Sequence, residues 1–149
     1  PLIGMKVEIS DFEENDRTRL QQIYFEVRNT TFTWLPKDSV DKSSFNQDIE
    51  GEYILVAKVG AEIVGFASIW LQDSFLHHLY ISKHYQRKGI GTLLLNKIIE
   101  KANSDLSLKC LKQNKSGVHF YLKSGWVAVS EGTSNEGEYI LFKYPISNL

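Results

Sequence analysis

A single cysteine, Cys110, stands in 149 residues, which excludes an internal disulfide and a cysteine-based zinc cluster and fits a reducing compartment. Long apolar runs are missing: none approaches the roughly 18 residues that cross a bilayer, and no charged segment leads into an apolar one near the N-terminus. Charge of one sign is scarce as well, since Lys+Arg 17 against Asp+Glu 18 leaves a formal net charge of −1. No global positive field is available to hold nucleic acid or an anionic membrane, so any anion site must be local. The expectation is a cytoplasmic protein without nucleic-acid or membrane partners. Hydrophobic residues make up 42% and charged residues 23%, with Gly 10 and Pro 3, the composition of an ordinary globular chain. Its length suits a single domain over residues 1–149 that buries roughly two-thirds of its unfolded surface. The opening Pro-Leu-Ile-Gly ahead of Met5 reads as a remnant of an expression vector and is set aside.

No internal repeat or linker-like tract divides the chain. Lys6 to Ser10 alternates as a strand. Asp11, with Glu14 three residues on, predicts a capping box for a helix whose apolar face carries Leu20, Ile23, Tyr24 and Val27. A Thr-rich turn, Asn29 to Pro36, holds Phe32, Trp34 and Leu35. A short helix from about Ser39 to Ile49 follows, with Val40, Phe45 and Ile49 on one side. Tyr53 to Val59 and Ile63 to Leu71 are rich in strand formers and flank a turn at Gly60 and Ala61, so they read as a hairpin; Phe75 to Ser82 extends it into an antiparallel meander. The period then becomes helical from Ile90 to Asn103. A strand Leu106 to Leu111, a helix Lys115 to Lys123, and strands Trp126 to Ser130 and Tyr139 to Tyr144 complete the order. A meander that passes into β-α-β is a mixed α/β sheet, neither an all-parallel sheet nor a sandwich.

The chemically informative stretch joins the third meander strand to the next helix: Gln86-Arg87-Lys88-Gly89-Ile90-Gly91-Thr92. The first amides of a helix are free and its macrodipole is positive there, so the segment is an anion site. Gly89 and Gly91 let the backbone approach a phosphate, and Arg87 and Lys88 add mobile charge. A dinucleotide fingerprint needs a third glycine at position 94, which is Leu, and no Gly-Lys-Ser/Thr triplet supplies a Walker A loop.

The segment resembles motif A of the GNAT superfamily of N-acetyltransferases, Gln/Arg-x-x-Gly-x-Gly/Ala. The family's preceding aliphatic-Tyr-aliphatic triplet is matched by Leu79-Tyr80-Ile81, and its second motif by Asn114, Phe120-Tyr121 and Gly125-Trp126. The likeness covers about Tyr53 to Trp126; Lys83 departs from it, standing where many members carry Pro. The resemblance implies a GNAT-like mixed sheet, a meander followed by β-α-β with its central strand pair splayed by a bulge. It also implies transfer of an acetyl group from acetyl-CoA directly to a primary amine.

On that resemblance the cofactor residues are Leu79, Tyr80 and Ile81 along the strand, Gln86, Arg87, Lys88, Gly89, Ile90, Gly91 and Thr92 at the pyrophosphate, and Asn114 on the arm. Asn114 also suits a helix N-cap at Lys115. Backbone freed by the splay would pair with the pantetheine as a strand does, and an amide there would polarise the thioester carbonyl. Tyr121 matches the tyrosine with which many members protonate the departing thiolate; packing beside Phe120 is the other reading. An amine of pKa near 10.4 is neutral in only on the order of one molecule in a thousand at pH 7, so its proton needs a base or a water relay. His77-His78 stand where the family often has Glu. Adjacent strand residues face opposite sides, which favours His77, on the face of Leu79 and Ile81; two half-buried sheet residues with water as the base is the other reading. Adjacent strand histidines chelate poorly and no acid completes a metal set at suitable spacing, so no metal is expected. Cys110, in an apolar strand, reads as a buried thiol rather than a nucleophile paired with His119.

Phe32, Trp34 and Trp70 are the candidates for an aromatic acceptor pocket, against core packing. Such a pocket suits a small or partly apolar amine. A protein lysine or N-terminus as acceptor, and an idle acyl-CoA-binding module, are the alternatives. Sheet edges and the last strand leave room for a homodimer.

Overall fold

The computed structural model describes residues 5–36 and 42–146. In chain order the elements are β1 (Val7–Asp11), α1 (Arg17–Thr30), α2 (Lys42–Ile49), β2 (Tyr53–Val59), β3 (Glu62–Trp70), β4 (Phe75–Ile81), α3 (Ile90–Lys101), β5 (Leu106–Leu111), α4 (Lys115–Lys123), β6 (Val127–Ser134) and β7 (Gly137–Tyr144). The strands form one mixed sheet ordered β1-β2-β3-β4-β5-β7-β6. Only the β4–β5 contact is parallel. The expected α/β meander followed by β-α-β is therefore the observed architecture. β7 lies between β5 and β6, so the last strand is not an edge; β1 and β6 are. Ser39 and Val40 of the expected second helix lie outside the described residues.

Alternating side chains divide the sheet into two apolar faces. Ile54 and Val56 of β2 join Leu20, Ile23, Tyr24 and Val27 of α1 and Phe45 and Ile49 of α2 on one side. Leu55 and Ala57, one residue out of phase, join Ile90, Leu94, Leu95 and Ile98 of α3 on the other. Each fully buried aromatic or aliphatic side chain in these faces contributes about 1.5–3 kcal/mol of transfer free energy. No helix among the described residues is long and apolar enough to cross a membrane. The reciprocal pair at the start of α1 is shifted from the expected one. Asp16 accepts the backbone N–H of Glu13 at 2.9 Å, while Asp11 remains in β1 and accepts from the Tyr53 hydroxyl at 2.7 Å.

Two irregularities position the site. β4 and β5 share a single pair, Phe75 with Ser107, and diverge beyond it. Between β3 and β4 the register shifts: Ser68 faces His78, but the next residue, Ile69, faces Leu76. His77 is thus the extra residue of a β-bulge, which accentuates strand twist.

Candidate active site

The gap between β4 and β5 opens onto the segment that begins α3. Gly89 caps the helix at φ 88°, a left-handed conformation suited to glycine, and Arg87 beside it also has positive φ, 61°. Gln86 donates its side-chain amide to the Ile81 carbonyl at 2.9 Å. Glu26 of α1 accepts the Lys83 N–H at 2.7 Å. The amides from Arg87 to Thr92 have no protein acceptor among the described residues. A row of free donors at a positive helix end fits a pyrophosphate. Gly91 has ordinary helical backbone; a Cβ there would meet the Phe120 ring at 3.3 Å, so its smallness also serves the packing of α3 on α4. A cavity of about 680 Å³ runs between α3 and α4, lined by Arg87, Thr92 and Asn96 on one wall and Ser116, His119 and Lys123 on the other. Of these, Asn96, Ser116, His119 and Lys123 carry no motif signal in the sequence that marks them as ligand contacts.

Asn114 caps α4, its side-chain oxygen accepting from the Gly117 N–H at 3.1 Å. Its side-chain NH₂ has no partner among the described residues, so the capping role leaves a donor for a ligand. Tyr121 of α4 packs edge-on against Phe120 and Trp126, with ring centroids 5.3 and 5.8 Å away, and tilted against Phe142 at 5.9 Å. The hydroxyl makes no hydrogen bond among the described residues. Burial of that end, with the Cys110 thiol and the Tyr80 hydroxyl near it, raises its ionisation far above the usual phenol range. Burial also pushes the Cys110 thiol up to about 11, which suits an inert thiol.

The bulge overturns the expected placement of the histidines. Leu76, Leu79 and Ile81 pack on the α3 side, whereas the rings of His77 and His78 stack 4.3 Å apart. His77 therefore does not share a face with Leu79 and Ile81; the extra residue breaks the alternation. His77 Nδ1 lies 2.7 Å from the carboxylate of Glu52, a side chain only 5% exposed. That contact raises the His77 pKa above 6.5, against the opposing effect of burial. His78 is buried, held through Nδ1 to the Ser68 hydroxyl at 2.7 Å, and pushed well below 6.5 chiefly by desolvation. Donor atoms of Glu52, His77 and His78 come within 4.8 Å of one another. A carboxylate does join the two histidines, which corrects the sequence expectation.

Phe32 and Trp34 come together, edge to face at 5.4 Å, and Phe32 lies 6.1 Å from Tyr80. Trp70 does not join them. It sits at the paired end of β4, opposite Phe75, and packs 3.0 Å from where a Cβ of Gly51 would stand. Two residues without a sequence signal complete the Phe32 side. Arg28 of α1 stands over the Tyr24 and Phe32 rings at 5.7 and 5.5 Å, and it is ion-paired with Glu136 at the turn between β6 and β7. Its Nη1 is 3.5 Å from the Tyr80 hydroxyl, which burial pushes up to about 12.

Residues 20–142 match the family model of the acetyltransferase (GNAT) domain. Among solved structures, the chain is similar to a GCN5-related N-acetyltransferase from Rhodopseudomonas palustris, with a TM-score of 0.80 at 18% identity over 95% of this chain and 97% of that one. It is also similar to the PaiA N-acetyltransferase of Thermoplasma acidophilum in complex with coenzyme A (TM-score 0.76, 21% identity, 94% and 100% covered). A third is YncA of Salmonella typhimurium, a putative acetyltransferase with its cofactor acetyl-CoA (TM-score 0.75, 17% identity, 94% of each chain).

Proposed function

Starting from the fact that the chain belongs to the GNAT acetyltransferase family, we propose that one domain binds acetyl-CoA and passes its acetyl group directly to the primary amine of a small molecule. The observation that carries this reading is the parting of β4 from β5 after one shared pair, directly before a helix start whose amides from Arg87 to Thr92 are free. Two of the similar structures hold coenzyme A or acetyl-CoA, in keeping with that cleft.

In this reading the pyrophosphate rests on the amides that follow Gln86, with Arg87 and Lys88 alongside, and the pantetheine runs down the gap beside Leu79, Tyr80 and Ile81. Asn114 donates its free NH₂ to the arm. An amide of β4 faces the thioester oxygen, where negative charge develops. The amine attacks the carbonyl carbon, the C–S bond breaks, and Tyr121 gives its proton to the departing sulfur. Tyr121 stays protonated at neutral pH, so it has a proton to give as negative charge develops on the sulfur, and a proton from solvent restores it. His77, oriented by Glu52, takes the proton that the amine loses. Cys110 stays outside the reaction. Phe32, Trp34 and Tyr80 wall the acceptor side. Arg28, ion-paired with Glu136, stands over the Phe32 ring and gives the acceptor side a charged group suited to a polar amine.

The test is thiol release from acetyl-CoA across a panel of small amines and lysine-bearing peptides. Turnover with small amines supports the reading. Turnover with peptides alone would reassign the acceptor, and cofactor binding without turnover on either would indicate a non-catalytic module.

A further inference from the structure

Arg28 is incompletely satisfied in a way that specifies a ligand. A guanidinium offers a side-on edge, Nε and Nη2, whose two parallel N–H groups match the two oxygens of a carboxylate. Glu136 takes Nη2 with one oxygen. Nε, on the same edge, is buried and has no hydrogen-bond partner among the described residues. A buried donor without an acceptor is costly, which marks it as a place where a partner is expected. The second unpartnered donor nearby is the indole N–H of Trp34, also buried. Both groups pack on one ring, Phe32, at 5.5 Å from the guanidinium and 5.4 Å from the indole.

The occupant of the edge is replaceable. The Arg28 side chain is 11% exposed, while that of Glu136 is 41% exposed and projects from a hairpin turn. A ligand carboxylate that displaces Glu136 gains Nε as well as Nη2, a bidentate pair in place of a single contact. The site is adjacent to the chemistry, because Arg28 reaches the Tyr80 hydroxyl, and Tyr80 stands on the strand beside which the thioester would lie.

We propose that the acceptor is a primary amine that also carries a carboxylate, an amino acid rather than a simple alkylamine, and that Arg28 holds the carboxylate with the Trp34 N–H as a second donor. The inference rests on the acetyl-transfer reading and names its substrate class. It makes Arg28 a specificity-determining residue.

The experiment compares matched pairs at fixed acetyl-CoA: L-phenylalanine against phenethylamine, and L-leucine against 3-methylbutylamine. The amino acid is expected to lead in kcat/KM by about ten- to a hundredfold, the scale of charge-assisted hydrogen bonds. Arg28→Lys, which keeps the charge but loses the fork, should erase most of that preference, read as the ratio of kcat/KM within each pair. Glu136→Ala frees the edge and should lower KM for the amino acid of each pair, so the proposal stays testable if Arg28 variants fold poorly. Calorimetry with 3-phenylpropanoate in the presence of coenzyme A reads carboxylate binding without turnover. Equal rates within each pair would overturn the carboxylate inference and leave acetyl transfer intact. Failure to bind acetyl-CoA would overturn both.

Discussion

Replacing Tyr121 with phenylalanine separates a catalytic hydroxyl from a packing ring. The ring's contacts with Phe120, Trp126 and Phe142 all lie at centroid distances of 5.3 to 5.9 Å, and phenylalanine retains them. The hydroxyl has no protein partner among the described residues, so its removal breaks no internal hydrogen bond. Stability should stay within about 0.5 kcal/mol of the parent, the usual range for a change that touches no structural feature. Chemistry should respond differently. A positioned general acid contributes about 10²–10⁴-fold, or roughly 3–5 kcal/mol of barrier at 1.36 kcal/mol per tenfold. Thiol release at saturating acetyl-CoA should therefore fall by about two to four orders of magnitude, with the cofactor dissociation constant unchanged in calorimetry. Because burial raises the tyrosine's ionisation, it remains protonated across an ordinary assay range and adds no alkaline limb of its own. A kcat within about threefold of the parent, far below the effect of a general acid, would refute the assignment.

Three further outcomes follow from the same geometry. Glu52 is the largest cause raising the His77 pKa; Glu52→Gln should lower it toward 6.5 by NMR titration and move the acid limb of kcat/KM down with it, while His77→Ala should flatten that limb. The sign follows from linkage: the raised pKa makes the Glu52–His77 contribution to stability fully present below about pH 6.5 and lost as pH rises through the folded-state value. Asn114→Ala removes the α4 cap and should cost about 1 kcal/mol in denaturant unfolding. Asn114→Ser should restore the cap but not the donor, so weaker acetyl-CoA binding in both variants separates the two roles. Gly89→Ala places a side chain at φ 88° and should cost about 1–2 kcal/mol, read as a lower unfolding midpoint.

Where a feature is local, the sequence announces it. The 3.6 period over Ile90 to Lys101, the paired glycines before it and the turn at Gly60 each depend on near neighbours, and each appears in the structure within a residue or two. Features made by long-range contact leave no such trace. The bulge at His77 lies in an apolar run broken only by two adjacent histidines, which marks no extra residue, so counting alternation back from Leu79 puts that side chain on the wrong face. Glu52 meets His77 from 25 positions away, and Arg28 meets Glu136 from 108. Arg28 reads as one more charge on a helix until the Tyr24 and Phe32 rings are seen around it. Trp70 stands apart from Phe32 and Trp34 for the converse reason: residue type carries no sign of which end of its strand a side chain occupies in the sheet. The insertion of β7 between β5 and β6 is likewise a matter of pairing that residue types leave open.

The central claim is that the splayed strands and the helix start bind acetyl-CoA. Calorimetric titration of acetyl-CoA into the protein and into Gly89→Glu tests it most directly, with ATP as the control. The account predicts saturable one-to-one binding, little heat from ATP, and loss of binding in the variant through like charge at the pyrophosphate position. ATP binding as well as acetyl-CoA, or undiminished affinity in Gly89→Glu, would contradict it.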